Sequence, residues 1–124
     1  MKKILVIDDE TALLEAFEGF LRNEFTDITF LSADNGNTGL EIAGTEKPDL
    51  IILDMKLGAG PSGVEVLHRL KSLAPASRVI VWAGYCDPKI EEETRRLGAF
   101  AFVEKPADPS LLLSIIREAI GLDR

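Results

Sequence analysis

The sequence predicts an α/β domain in which a parallel sheet is covered by helices on both faces. Short, fully apolar runs rich in Ile and Val recur along the chain, as strands buried on both sides require. Between them lie longer segments whose apolar residues return at helical spacing. A length of 124 residues adds a bound: one core is the expectation at that size, so residues 1–124 are read as a single domain.

Residues 3–7 form the first expected strand, and Leu13, Phe17, Phe20 and Leu21 then follow at steps of four, three and one, marking an amphipathic helix that ends before Thr26. Residues 28–31 give a second strand. The next helix, from about Thr38 to Thr45, turns Leu40 and Ala43 inward until Lys47-Pro48 stops it. Residues 50–53 are the third strand. Ser62-Gly63-Val64-Glu65 then has the form of a capping box, opening a helix with Val64, Leu67 and Leu70 inward that Pro75 closes. Residues 79–82 make the fourth strand, after which Asp87-Pro88 supplies an N-cap and a first-turn proline for a helix buried through Ile90, Thr94 and Leu97. Gly98 terminates it. Residues 100–103 are the fifth strand, and Asp108-Pro109 repeats the cap chemistry before a helix using Leu112, Ile115, Ile116 and Ala119.

Five βα units suit an open, doubly wound sheet, because a closed eight-unit barrel needs roughly twice this length. Periodicity leaves the strand order open. It does locate function, since ligands of such sheets bind beyond the carboxyl ends of the strands.

Composition narrows the function classes. Asp plus Glu number 21 against 14 Lys plus Arg, a formal charge of -7 that repels phosphate backbones and anionic lipid, so neither direct nucleic-acid binding nor membrane association is expected. The apolar start is cut short by Asp8, Asp9 and Glu10, which excludes a signal sequence there, and other apolar runs fall well below the ~18 residues of a membrane span. The lone Cys86 closes no disulfide within the chain and fits a reducing, cytoplasmic compartment.

The chemistry gathers on one rim. Asp8, Asp9 and Glu10 follow the first strand, Asp54 follows the third, and Lys105 follows the fifth. Taken singly, Asp9 is a helix cap, Asp54 a turn residue and Lys105 a solvated charge. Taken together, three or more carboxylates within a few ångströms raise one another's pKa unless a cation and an ammonium share the pocket. Oxygen-only donors select a hard ion, and a partial carboxylate set suits Mg²⁺ more than zinc. Mg²⁺ beside a lysine is equipment for phosphoryl transfer.

Three stretches carry a resemblance: Ile4-Leu5-Val6-Ile7-Asp8-Asp9-Glu10, Asp49-Leu50-Ile51-Ile52-Leu53-Asp54, and Gly98-Ala99-Phe100-Ala101-Phe102-Val103-Glu104-Lys105-Pro106. In their order and strand-end placement the chain resembles the receiver domain of two-component response regulators over essentially its whole length. The resemblance implies a flavodoxin-like, three-layer α/β/α fold with strand order 2-1-3-4-5. It implies that Asp54 accepts a phosphoryl group from a histidine kinase or histidine phosphotransfer protein. It further implies that Asp9 and Asp54 ligate Mg²⁺ directly, that Asp8 acts through a coordinated water, that the Lys56 backbone carbonyl completes the protein's share, and that Lys105 pairs with phosphoryl oxygens.

Departures from the family pattern fall after the fourth strand and in the loop after Asp54. Ala83 stands where the family carries a Thr or Ser hydroxyl, and losing a hydrogen bond to a charged acceptor costs about 1.5 to 3 kcal/mol of phospho-state stabilisation. Gly84 beside it gives the backbone torsions other residues avoid and lets its amide approach a phosphoryl oxygen directly, or else simply makes a tighter turn. Phe102 occupies the position of the aromatic residue that changes rotamer in the family. After Asp54 the loop lacks the family's proline and is one residue longer, so a looser cover over the metal is expected. Among other candidates, His68 reads as a surface residue, Cys86 as a small residue at a helix start, and Trp82 as packing beside the acidic rim that narrows access. Leu111, Leu113 and Ile120 widen the apolar content of the last helix and point to an effector or homodimer surface on the last two helices.

A phosphorylatable switch, not an enzyme acting on other substrates, is the leading expectation. The alternative is a pseudo-receiver that docks partners without phosphorylation, motivated by Ala83. A Mg²⁺-dependent phosphatase ranks last, because Asp54-Met55-Lys56 lacks a second carboxylate to act as general acid.

Overall fold

The computed structural model describes residues 2–84, 88–105 and 108–121. The expected units form as β1 (Lys2–Ile7), α1 (Thr11–Glu24), β2 (Ile28–Ala33), α2 (Gly36–Glu46), β3 (Leu50–Asp54), α3 (Gly63–Leu73), β4 (Arg78–Ala83), α4 (Pro88–Arg96), β5 (Ala101–Glu104) and α5 (Pro109–Ile120). All strand pairs are parallel, in the order β2-β1-β3-β4-β5. The chain steps outward from β1 to β2, then crosses back to β3 and continues the other way. Right-handed crossovers therefore place α1 and α5 on one face and α2, α3 and α4 on the other.

Alternation along the strands divides the core accordingly. Ile4, Val6, Ile52 and Ile80 face Phe17, Leu21, Leu112 and Ile116, whereas Leu5, Ile7, Leu53 and Val81 face Leu40, Ala43, Leu67 and Leu70. Burial on both faces explains why these strands read as unbroken apolar runs.

Caps set several helix ends as the sequence implied. The Ser62 side chain accepts from the Glu65 amide, and the Asp108 side chain accepts from the Ser110 amide. Gly98 ends the α4 segment at φ +91°, a conformation that favours glycine. The expected Asp87 cap, Cys86 and Pro106 lie outside the described residues.

Four inward faces need correction. In α1 the buried stripe is Leu14, Phe17 and Leu21, with Leu13 and Phe20 half-buried beside it. In α3 the buried residues are Gly63, Val66, Leu67 and Leu70, with Val64 half-buried, because Gly63 packs against the end of β3 and turns the face of Val66 inward. In α5 Ile120 is core and Ile115 half-buried, since the stripe runs through Leu112, Ile116, Ala119 and Ile120. In α4 only Thr94 is buried among the described residues; Leu97 is half-buried and Ile90 is 38% exposed. Leu111, at 54%, is the more exposed apolar residue on the neighbouring α5. Among the described residues, no helix is long and apolar enough to cross a membrane.

Candidate functional site

Strand register builds the site. Ile7 is level with Leu53 across the β1–β3 pair, so Asp8 and Asp54 leave adjacent strands at the same height, at the point where the strand order reverses. Trp82 is the β4 partner of Asp54, and Ala83 is level with Glu104 on β5, so Lys105 emerges one step beyond.

The structure brings Asp8, Asp9 and Asp54 together, each offering one oxygen within 4.8 Å of the others. Asp8 and Asp54 are 1% and 4% exposed, while Asp9 faces solvent. Each buried carboxylate is aimed by the backbone that follows it. The Glu10 amide donates to Asp8 Oδ1 at 2.9 Å, and the Lys56 amide donates to Asp54 Oδ1 at 3.1 Å. Asp9 is not the N-cap of α1: that position is Glu10, which makes no side-chain cap hydrogen bond.

Lys105 closes the cup from β5. Its Nζ lies 3.5 Å from Asp54 Oδ1 and 3.7 Å from Asp8 Oδ2. Burial pushes the Asp8 carboxyl above the ordinary carboxylate value; the Glu10 amide and Lys105 oppose that rise and the Asp54 charge adds to it. Burial likewise raises Asp54, against the Lys56 amide and Lys105, with the Asp9 charge raising it further.

These residues fit a hard divalent cation. The donors are all oxygens, and Asp8 Oδ2 is buried with no hydrogen-bond partner among the described residues. A buried carboxylate oxygen left unpaired costs free energy that a bound cation would offset. Lys105 alone does not satisfy it, since 3.7 Å is longer than a hydrogen bond.

The loop after Asp54 closes in on this cup. Gly58 approaches Asp9 so nearly that a Cβ there would stand 3.2 Å from Oδ2. Gly63 is tighter still, with a Cβ falling 2.7 Å from Met55 Cα and 2.9 Å from the Asp54 carbonyl oxygen. Sequence reasoning used Gly63 only as part of a cap; a glycine at the first helical position shortly after a candidate acid was the available signal.

The expected switch positions are placed unevenly. Ala83 is buried at the end of β4, and its carbonyl accepts from the Lys105 amide at 2.6 Å. Phe102 is half-buried on β5 opposite Val81. Gly84 has a φ outside the left-handed region, and a Cβ there would meet nothing within 4 Å among the described residues. His68 is exposed, as expected. Trp82 packs beside the acidic rim as expected, 8% exposed, edge-on to Phe17 at 5.6 Å and with its ring centroid 5.7 Å from Lys105 Nζ.

Comparison with known proteins agrees with this geometry. Residues 4–117 match the family model described as "Response regulator receiver domain". The chain is 34% identical over 119 residues to sporulation initiation phosphotransferase F of Bacillus subtilis, covering 96% of this chain and 90% of that protein. It is 29% identical over 117 residues to a cyclic di-GMP phosphodiesterase of Thermotoga maritima, covering 94% of this chain but only 30% of that longer protein. Among solved structures, a CheY-like response regulator receiver domain protein from Methanospirillum hungatei superposes with a TM-score of 0.89 at 30% identity, covering 99% of this chain and 96% of that one. With its five-stranded order and its acid cup at the strand ends, the chain belongs to the response regulator receiver domain family.

Proposed function

We propose that this chain is a phosphorylatable switch whose acceptor is Asp54 and whose donor is the phosphohistidine of a histidine kinase or phosphotransfer protein. The observation that carries the reading is the pairing of two buried carboxylates, Asp8 and Asp54, with the Lys105 ammonium within 3.7 Å of both. In the transfer, an Asp54 oxygen forms a bond to phosphorus as the bond from phosphorus to the donor nitrogen breaks, and the electron pair leaves with the imidazole. Lys105 neutralises charge on the phosphoryl oxygens, and the amides of Glu10 and Lys56 hold the two carboxylates in place. Asp8, Asp9 and Asp54, with the Lys56 carbonyl, would hold Mg²⁺, which supplies positive charge against the clustered oxygens. The acyl phosphate so formed hydrolyses on its own, which makes the signal transient.

Residues 1–124 act in this reading as one receiver unit. Leu111 on α5 and Ile90 on α4 support an output or homodimer surface there. A second reading, a docking module that needs no phosphorylation, is favoured by Ala83, which brings no hydroxyl to the end of β4. Incubation with Mg²⁺ and acetyl phosphate followed by intact-mass measurement separates the two. The switch gains the mass of one phosphoryl group and Asp54→Asn gains none; a docking module stays unchanged while still binding Mg²⁺.

A further inference from the structure

We infer that Trp82 is a positioning residue for Lys105, its ring face holding the ammonium over the acid cup when the carboxylates are engaged elsewhere. This rests on the switch reading of the same site. Lys105 Nζ stands 3.5 and 3.7 Å from Asp54 and Asp8, distances at which the hold is Coulombic and not a short hydrogen bond. Those oxygens are the ones a divalent cation and a phosphoryl group would share, so the hold weakens as the site fills and the cation repels the ammonium. The indole face competes for no ligand. It lies 5.7 Å from Nζ, inside the ~6 Å reach of a cation–π contact, and its burial limits the screening that weakens such contacts at exposed sites.

The placement is built in. Trp82 is level with Asp54 across the β3–β4 pair, and its edge-on contact with Phe17 fixes the ring. The Lys105 amide is bonded to Ala83, the next residue along β4, so both the backbone and the ammonium of Lys105 are tied to that strand. With no hydroxyl at position 83, more of the charge on a phosphoryl group falls to Lys105, and its position matters more.

Trp82 is the chain's single tryptophan, so its emission reports the contact directly. In metal-free protein, Lys105→Met is expected to change that emission; identical spectra would overturn the inference. With Mg²⁺ and acetyl phosphate, Trp82→Leu should slow phosphorylation about three- to tenfold at an unchanged Mg²⁺ dissociation constant, and Trp82→Phe should restore most of the rate. A Phe variant as slow as Leu overturns it. Urea unfolding of metal-free Trp82→Leu, Lys105→Met and the double variant completes the test where Lys105→Met abolishes phosphorylation: coupled losses support the contact, and additive losses contradict it. If the parent protein takes up no phosphoryl group, the switch reading fails, while emission and unfolding still decide the Trp82–Lys105 contact.

Discussion

At the β1–β3 end of the sheet, Asp8 and Asp54 stand on strands whose last four residues before the acids are all buried, flanked by helices that bury three or four residues each. At the β4–β5 end, α4 buries only Thr94 among the described residues, and the Thr94 hydroxyl bonds within its own helix to the Glu91 carbonyl. What ties α4 together on its surface is a pair of exposed ion pairs, Glu91–Arg95 and Glu92–Arg96. The two buried acids therefore stand on the more deeply packed part of the sheet, while Lys105 reaches them from the β5 side, where α4 buries a single side chain among the described residues. The acids and the lysine of the cup are all present, whereas no hydroxyl stands at position 83.

The largest expected effect contrasts the two ends by truncation. Ile52→Ala, in the middle of β3, should cost about 2 to 5 kcal/mol in chemical denaturation. Ile90→Ala on α4 should move stability by less than about 0.5 kcal/mol. Equal losses would break the comparison.

Restoring the hydroxyl sharpens it. Ala83→Thr should strengthen the structural response to phosphorylation by about 1.5 to 3 kcal/mol, read as larger amide resonance shifts in β4 and α4 on adding Mg²⁺ and acetyl phosphate. A full response in the parent that Thr does not enlarge would show that the hydroxyl is dispensable in this chain.

A smaller effect concerns the buried acids in metal-free protein. Asp8 and Asp54 titrate above the ordinary value of 3.8, so the unfolded chain releases these protons at lower pH than the folded chain does. Their contribution to stability is fully present below the ordinary carboxylate range and is lost as pH rises through the raised values. Asp54→Asn, which stays neutral, should therefore melt above the parent near neutral pH in chelator, and the gap should close at low pH. A parent that melts above the variant at neutral pH would contradict the stated cause. The smallest effect is Glu91→Gln, about 0.3 to 0.5 kcal/mol and fading with salt, as expected of an exposed ion pair.

The strands and the acid rim were legible because double-sided burial and strand-end placement leave local marks. Apolar runs stop at Asp8 and at Asp54, and the parallel topology converts those stops into one shared edge. Helix faces are less legible, since residues on either flank of the inward stripe fit the same period. Val64 and Val66 both lie near the inward face of α3, and only the approach of Gly63 to Met55 chooses between them. Ile90 and Leu97 have helical spacing, yet α4 meets too little of the sheet to bury either. The ring of Trp82 beneath Lys105 joins residues far apart in sequence and left no local signal.

Three carboxylates and one lysine are proposed to form a single cation-assisted site. Calorimetric titration of the metal-free protein with Mg²⁺ tests it most directly, beside Asp8→Asn and Asp54→Asn. One saturable ion per chain is predicted, raising the melting temperature in the parent and lost or greatly weakened in both variants. No saturable binding at millimolar Mg²⁺, or binding that survives both substitutions unchanged, would contradict it.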